Sequence, residues 1–367
     1  MKIYCHGLDL SDAVLKVVKA VPSKKVIPVL EGIKLKAEGN SLTITATDLE
    51  LSIEKSIFAD VKIEGEAVVP GKFFAEFVKK LTNEQIEIDT TEKNVMKIKY
   101  MDSKGELQCL NVDEYPPVKQ VESDVYFTIN QKAFRDVLNK TVFSAATDDI
   151  RPILKGCLLE IENNVLKVVA LDGFRLACAK KEIASSVEKT SFIVSARSLF
   201  EISKLLDDED KNVTIYVESN FMMVDIDHTK VITRLMDGEF IQYKKIIPPD
   251  FISTATVNKG QLENGLDRAS LVSRGDKNNL IKFEVKEKMM AISSSSEIGT
   301  INENVVISLS GKDLSVGFNA RYITEAIRAI GDEFIKMNFT SSTSPCVITA
   351  AESDEYLYLI LPVKIIG

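Results

Sequence analysis

Asp225, Asp227 and His228, in the run VDIDHTKV, come closest to a catalytic set in this sequence. Two carboxylates and an imidazole within four positions could hold a divalent metal for phosphoryl transfer, and Asp148 with Asp149 offers a second carboxylate pair. The first group, however, sits in an alternation of apolar and polar residues, the pattern of a half-buried strand whose polar positions face water, and that plainer reading is preferred. Ser293–Ser296 is a polar run with no adjacent base, and no GxSxG, HExxH or glycine-rich phosphate loop occurs. Cys5, Cys109, Cys157, Cys178 and Cys346 lie far apart without a CxxC pair, and neither His6 nor His228 completes a zinc site with them. They read as reduced, mostly buried thiols. The expectation is a protein that is not an enzyme and holds no metal or cofactor.

The chain has 367 residues, 45% of them hydrophobic and 27% charged, which suits two or three globular domains. No apolar run approaches the roughly 18 residues of a membrane helix, and Pro362 breaks the stretch Tyr356–Val363. The first residues reach Asp9 and Asp12 without an uninterrupted apolar stretch, so no secretory signal and a cytoplasmic location are expected, with no membrane partner.

A helical segment returns three times, as VVPGKFFAEFVKKL (Val68–Leu81), FIVSARSLFEISKLL (Phe192–Leu206) and SVGFNARYITEAIRAI (Ser315–Ile330). Lys72, Arg197 and Arg321 hold the same place in each, and Ser195 and Asn319 are placed to cap the second and third copies. A second segment recurs at Leu10–Val21, Ile129–Val142 and Val257–Val272, each followed by alternating strand-like stretches. Each third therefore reads strand, helix, strands, twice over. The self-similarity implies three α+β domains of two helices and antiparallel sheets, spanning 1–122, 123–250 and 251–367, with paired prolines marking the two linkers.

The formal net charge of −8 argues at first against nucleic acid. Its distribution argues the other way. The six repeated helical segments together carry eight excess positive charges, which leaves sixteen excess negative charges on the remaining chain. Solvated helix faces usually mix signs, so a small excess on any one helix is unremarkable, whereas the same sign on all six suits phosphate contacts without base reading. Trp is absent and the aromatic residues are not interleaved with the basic ones, which argues against stacking on single strands.

Four local words, RPILKG (Arg151–Gly156), ALDGFRLA (Ala170–Ala177), LMDGEFIQYKKIIP (Leu235–Pro248) and YLILPVKI (Tyr358–Ile365), resemble the bacterial DNA polymerase III beta-subunit family, the DNA sliding clamps. The resemblance spans the chain in length, triplication and ending. It departs from the common pattern at Leu171, where Thr is common, at Phe174, where His or Tyr is frequent, and at Ile241, where Pro is usual. It implies a head-to-tail homodimer closing a six-domain ring around duplex DNA, with helices inside and sheets outside. Such a ring is a processivity factor that does no chemistry itself. It slides without sequence preference, tethers replicative and repair polymerases, and is opened by an ATP-driven clamp loader.

The resemblance also assigns sites. A partner-peptide groove would comprise Leu154, Leu171, Gly173, Phe174, Arg175, Leu176, Ile241, Lys245, Ile246, Leu361, Pro362, Val363 and Lys364, with Arg175, Lys245 and Lys364 at its rim. For any single apolar member, plain core packing is the more usual reading, because such residues are mostly buried. DNA contacts would fall to Lys24, Lys25, Lys72, Arg135, Arg197 and Arg321, each of which could also be an ordinary solvated or paired charge. In the first-repeat helix, Phe73, Phe77 and Leu81 form the outer part of a wide apolar stripe. Either it is a broad core face, or, as the resemblance implies, it meets Leu271 and Val272 of a second copy, with Leu107 nearby. The rival functional reading is a peptide-binding scaffold that does not encircle DNA.

Overall fold

Two helices in each third bury one stripe on sheet, and the stripe is set by residues three or four apart. The computed structural model describes residues 1–22, 27–273 and 279–365. The helices are α1 (Gly7–Val17), α2 (Gly71–Val78), α3 (Gln131–Thr141), α4 (Ala196–Ser203), α5 (Lys259–Ser273) and α6 (Ala320–Arg328). Leu10, Val14 and Val17 are the buried face of α1, Phe134, Val137 and Leu138 that of α3, and Leu262, Leu266 and Ala269 that of α5. The second helix of each third does the same with Phe74 and Val78, with Leu199 and Ile202, and with Ile323 and Ile327. Asn319 accepts a hydrogen bond from the Arg321 amide at 3.0 Å, and Ser195 Oγ accepts one from the Ser198 amide at 3.4 Å, so both expected caps are in place. Among the described residues, no helix is long and apolar enough to cross a membrane.

The element order is the same in each third: strand, helix, three or four strands and a closing strand, second helix, three strands. In the last third one long strand, Gly299–Ser310, does the work of two shorter ones elsewhere. The strand pairings with a described register are antiparallel, as in the hairpins that follow the first helix of each third.

By contacts the chain divides into two compact units that cut across the threefold repeat, residues 1–131 with 204–235, and residues 132–203 with 236–367. Hydrogen-bonded seams explain why. In the first unit Leu51–Phe58 pairs with Thr229–Arg234, Leu51 opposite Thr233 and Lys55 opposite Thr229, fusing two thirds of the chain into one run of strands. In the second unit Arg175–Glu182 pairs with Tyr356–Ile360, Arg175 opposite Ile360 and Ala179 opposite Tyr356. Each seam joins the third strand after the first helix of one repeat to the third strand after the second helix of the next.

Asp227 and His228 differ from the strand assignment made for them. Ile226 pairs with Thr229, so these two residues are a tight hairpin turn, both with left-handed φ of 44° and 63°. That is the geometry of a two-residue primed turn, for which Asp is well suited. The spacing of VDIDHTKV is thus accounted for by turn chemistry. Asp148 likewise accepts the Ile150 amide at 3.0 Å, and Asp149 pairs with Lys155 at 2.6 Å.

Candidate functional site

The second unit gathers three distant segments into one apolar cluster. Its buried members include Leu154, Leu171 and Leu176 together with Tyr243, Val347 and Leu359, and Ile241, Ile247, Phe240 and Leu361 pack half-buried against them. The seam makes this possible, because Leu176 sits directly opposite Leu359 across it. The 172–175 loop is fixed by its own side chain: Asp172 Oδ1 accepts the amides of Phe174 at 2.9 Å and Arg175 at 3.0 Å. Gly173 has φ +93°, a conformation that side chains rarely adopt. The Leu361 amide donates to the Phe174 carbonyl at 2.9 Å, which ties the last segment of the chain to this loop.

Five expected groove residues, Leu154, Leu171, Leu176, Ile241 and Leu361, therefore share one cluster. Phe174 is 58% exposed and stacks on Tyr322 of α6 with ring centroids 6.0 Å apart. Lys245 and Lys364 are exposed and Pro362 is half-buried. One expectation needs correction. Arg175 is no rim cation, being 6% exposed. Its Nε pairs with Asp172 at 3.1 Å, its Nη1 donates to Glu325, its Nη2 donates to the Phe143 carbonyl at 2.7 Å, and its guanidinium lies 4.8 Å from the Tyr322 ring centre. Ile246 is exposed and its neighbour Ile247 takes the place in the cluster. Val363 is bridged to Gly317, whose carbonyl accepts its amide at 2.8 Å, and belongs to that strand edge. Sequence reading missed Tyr243, Ile247 and Val347. Tyr243 and Ile247 lie within LMDGEFIQYKKIIP, whereas Val347 sits in a strand with no local signal. Tyr243 donates its hydroxyl to Glu160, and burial first, then that hydrogen bond, pushes its pKa up.

The helix cations are less free than their count implied. Lys16 pairs with Asp12 at 3.1 Å, Lys140 with Asp136 at 2.8 Å, Lys259 with Glu263 at 2.6 Å, Arg321 with Glu325 at 2.9 Å and Arg328 with Asp267 at 2.8 Å. Lys72, Lys79 and Lys80 on or just after α2 are exposed, as are Lys132, Arg197 and Arg321, while Arg135 is half-buried. Lys24 and Lys25 lie outside the described residues.

Of the expected interface residues, Phe73 and Leu271 are each 58% exposed, and Phe77 and Leu107 are half-buried. Leu81 and Val272 are instead buried within this chain at 7% and 8%. Leu81 lies past the end of α2, its amide donating to the Val78 carbonyl at 3.0 Å, so it leaves the helical stripe. Val272 falls on the buried face of α5 beside Ala269.

Comparison with known proteins agrees with this architecture along the whole chain. Family models match in order: DNA polymerase III beta subunit, N-terminal domain, over residues 1–119; central domain over 128–242; and C-terminal domain over 244–364. A curated relative, the beta sliding clamp of Halalkalibacterium halodurans, is 33% identical over 360 residues, covering 94% of this chain and 95% of its own. Among solved structures, the DNA polymerase sliding clamp of Bacillus subtilis superposes with a TM-score of 0.95 at 30% identity, and the DNA polymerase III beta subunit of Thermotoga maritima with 0.93 at 30% identity. Both likenesses cover 100% of this chain and 100% of the other. A threefold clamp architecture, three matching family models in order and a relative of this identity over nearly its full length place the chain in the DNA polymerase III beta subunit family, the beta sliding clamps.

Proposed function

We propose that two copies of this chain close head to tail into a ring around duplex DNA and act as a polymerase processivity factor. The ring slides without sequence preference and catalyses no reaction. It tethers replicative and repair polymerases through the cluster around Leu154, Leu176 and Leu361, and a clamp loader opens it. The three domains span 1–122, 123–250 and 251–367.

The observation that carries this reading is the repeated seam. Two such seams lie within the chain. The same rule leaves one strand at each end to be joined: Ser103–Gln108, the outer strand of a five-stranded sheet, and residues 299–306, which pair with Met289–Ser296 on one side only among the described residues. A second copy placed head to tail supplies each edge with its complement. Two such contacts close six domains into a finite ring rather than a fibre, and the unpaired edges disappear. Leu107 lies on one edge strand, and the exposed Phe73 and Leu271 are the apolar anchors nearest this role on α2 and α5.

The test is topological. Protein assembled by a clamp loader on a nicked circular duplex should stay bound through gel filtration and should be lost when one restriction cut makes the DNA linear. Equal retention on circle and line, with peptide binding intact, would instead favour a scaffold that does not encircle DNA.

A further inference from the structure

The polar network under the groove loop reaches further than the groove. Phe174 and Arg175 of ALDGFRLA both reach α6, the first through the Tyr322 ring, and the carboxylate that Arg175 meets there has two claimants. Glu325 accepts from Arg175 through one oxygen and from Arg321 Nε through the other, at 2.9 Å. The two arginines differ in surroundings. Arg175 is buried between Asp172, the Phe143 carbonyl and the rings of Phe143 and Tyr322, the first of these fixing the 172–175 loop. The Arg321 side chain is 63% exposed at the start of α6 and is held by Glu325. Burial pushes the Glu325 carboxyl up, but hydrogen bonds from both arginines outweigh it and hold it below the ordinary value.

We propose that Glu325 is a positioning residue that couples the peptide groove to the DNA-facing helix, because a phosphate bound at Arg321 competes for that guanidinium and leaves Glu325 to Arg175. This rests on the function proposed above, in which α6 faces duplex and the 172–176 segment helps hold a partner peptide. A carboxylate shared between two cations is pulled from both sides, so removing the exposed claimant strengthens the buried contact. The buried contact in turn holds Arg175 against Asp172 and keeps the loop, with Phe174 on Tyr322, in one arrangement. Peptide should therefore bind more tightly on DNA than off it, and by linkage DNA more tightly when peptide is bound. The expected size is small, about two- to fivefold, the scale of one partly exposed ion pair.

The experiment uses the full-length protein, a fluorescent peptide from a polymerase tail and a short duplex at low salt, with a separate labelled-duplex titration. In the parent, duplex should tighten peptide binding by about two- to fivefold. In Arg321→Ala, peptide affinity without duplex should already match the parent's duplex-bound value, and duplex should add nothing. In Glu325→Gln, peptide affinity should fall and no longer respond to duplex. Because Arg321 is exposed, its variant keeps the test decisive even if Glu325→Gln folds poorly. If duplex and peptide both bind the parent and peptide affinity ignores duplex, or if Arg321→Ala leaves the response intact, the coupling is overturned while the sliding-clamp function stands. Failure of the labelled duplex to bind at all points to the parent reading instead, and with it this one falls.

Discussion

Arg175 shows how one side chain can be misassigned by its charge. In ALDGFRLA it is a cation next to a turn, which reads as a surface group, yet its main partner Glu325 is 150 positions away and gives no local signal. Removing the side chain in Arg175→Ala takes from the Asp172 and Glu325 carboxylates the guanidinium they share. A fully buried pair broken in this way costs about 3–5 kcal/mol, and because the Glu325 side chain is 32% exposed the expected loss is on the order of 2 kcal/mol. Thermal unfolding followed by circular dichroism should show a fall of several degrees; an unchanged midpoint would contradict a buried hub. The same network carries a pH dependence. The Glu325 pKa is lowered in the folded chain, so its contribution is fully present above its unfolded value, about 4.3, and is lost as pH falls below that through the folded value. The stability difference between the parent and Glu325→Gln should accordingly be present at pH 7 and shrink toward pH 3. The apolar members were more legible than the polar ones, since Leu154, Leu171, Leu176, Ile241 and Leu361 each stand beside a turn or a chain end. Among them the half-buried pair is the better probe, because truncating the fully buried Leu176 risks about 2–5 kcal/mol of stability. Replacing Ile241 and Leu361 together by Ala should weaken a polymerase-tail peptide about tenfold or more in a polarisation titration, with the unfolding midpoint little changed.

Helices were the most readable elements, and their ends the least. Spacing located all six, but α2 stops at Val78, so extending its outer stripe by another turn placed Leu81 wrongly. A helix of eight residues has barely two turns, and the last apolar residue of its sequence run serves as a plug beneath the end rather than as part of a face. In α5 the error was of a single position: Leu271 points outward while Val272 continues the buried row from Ala269. The interface proposal therefore narrows to Phe73 and Leu271, both well exposed in the single chain. Truncating exposed side chains has little effect on a monomer's stability, whereas apolar anchors buried at an interface often account for 2 kcal/mol or more each, as an order of magnitude. Phe73→Ala combined with Leu271→Ala should thus shift sedimentation from dimer to monomer at micromolar concentration while the unfolding midpoint of the monomer stays put. A dimer of unchanged affinity would remove both residues from the contact.

At the scale of the whole molecule, the triplication was visible in sequence because helix periodicity repeats at domain length, but the seams were not. Strand pairing between Leu51–Phe58 and Thr229–Arg234 joins residues 174 to 182 positions apart, and the edge strands proposed to join between copies look locally like any other alternating strand. The seams have a consequence that separates the ring from ordinary DNA affinity. In the proposed ring, phosphate binding by the helix cations would proceed through counterion release, so their contribution should weaken steeply as salt rises. Enclosure does not depend on that term, because a closed sheet edge holds the circle whether or not phosphate is touched. Lys72→Ala should therefore weaken equilibrium binding to a short linear duplex, equally for every sequence, and lower its salt slope by about 1. The same variant assembled on a circular duplex should dissociate no faster than the parent, and raising salt from about 50 to 200 mM, enough to weaken phosphate-driven binding by orders of magnitude, should scarcely shorten its lifetime there. Parallel lifetimes on linear and circular DNA, both falling with salt, would mean that electrostatics alone holds the protein to DNA and that residues 299–306 and Ser103–Gln108 do not close a ring.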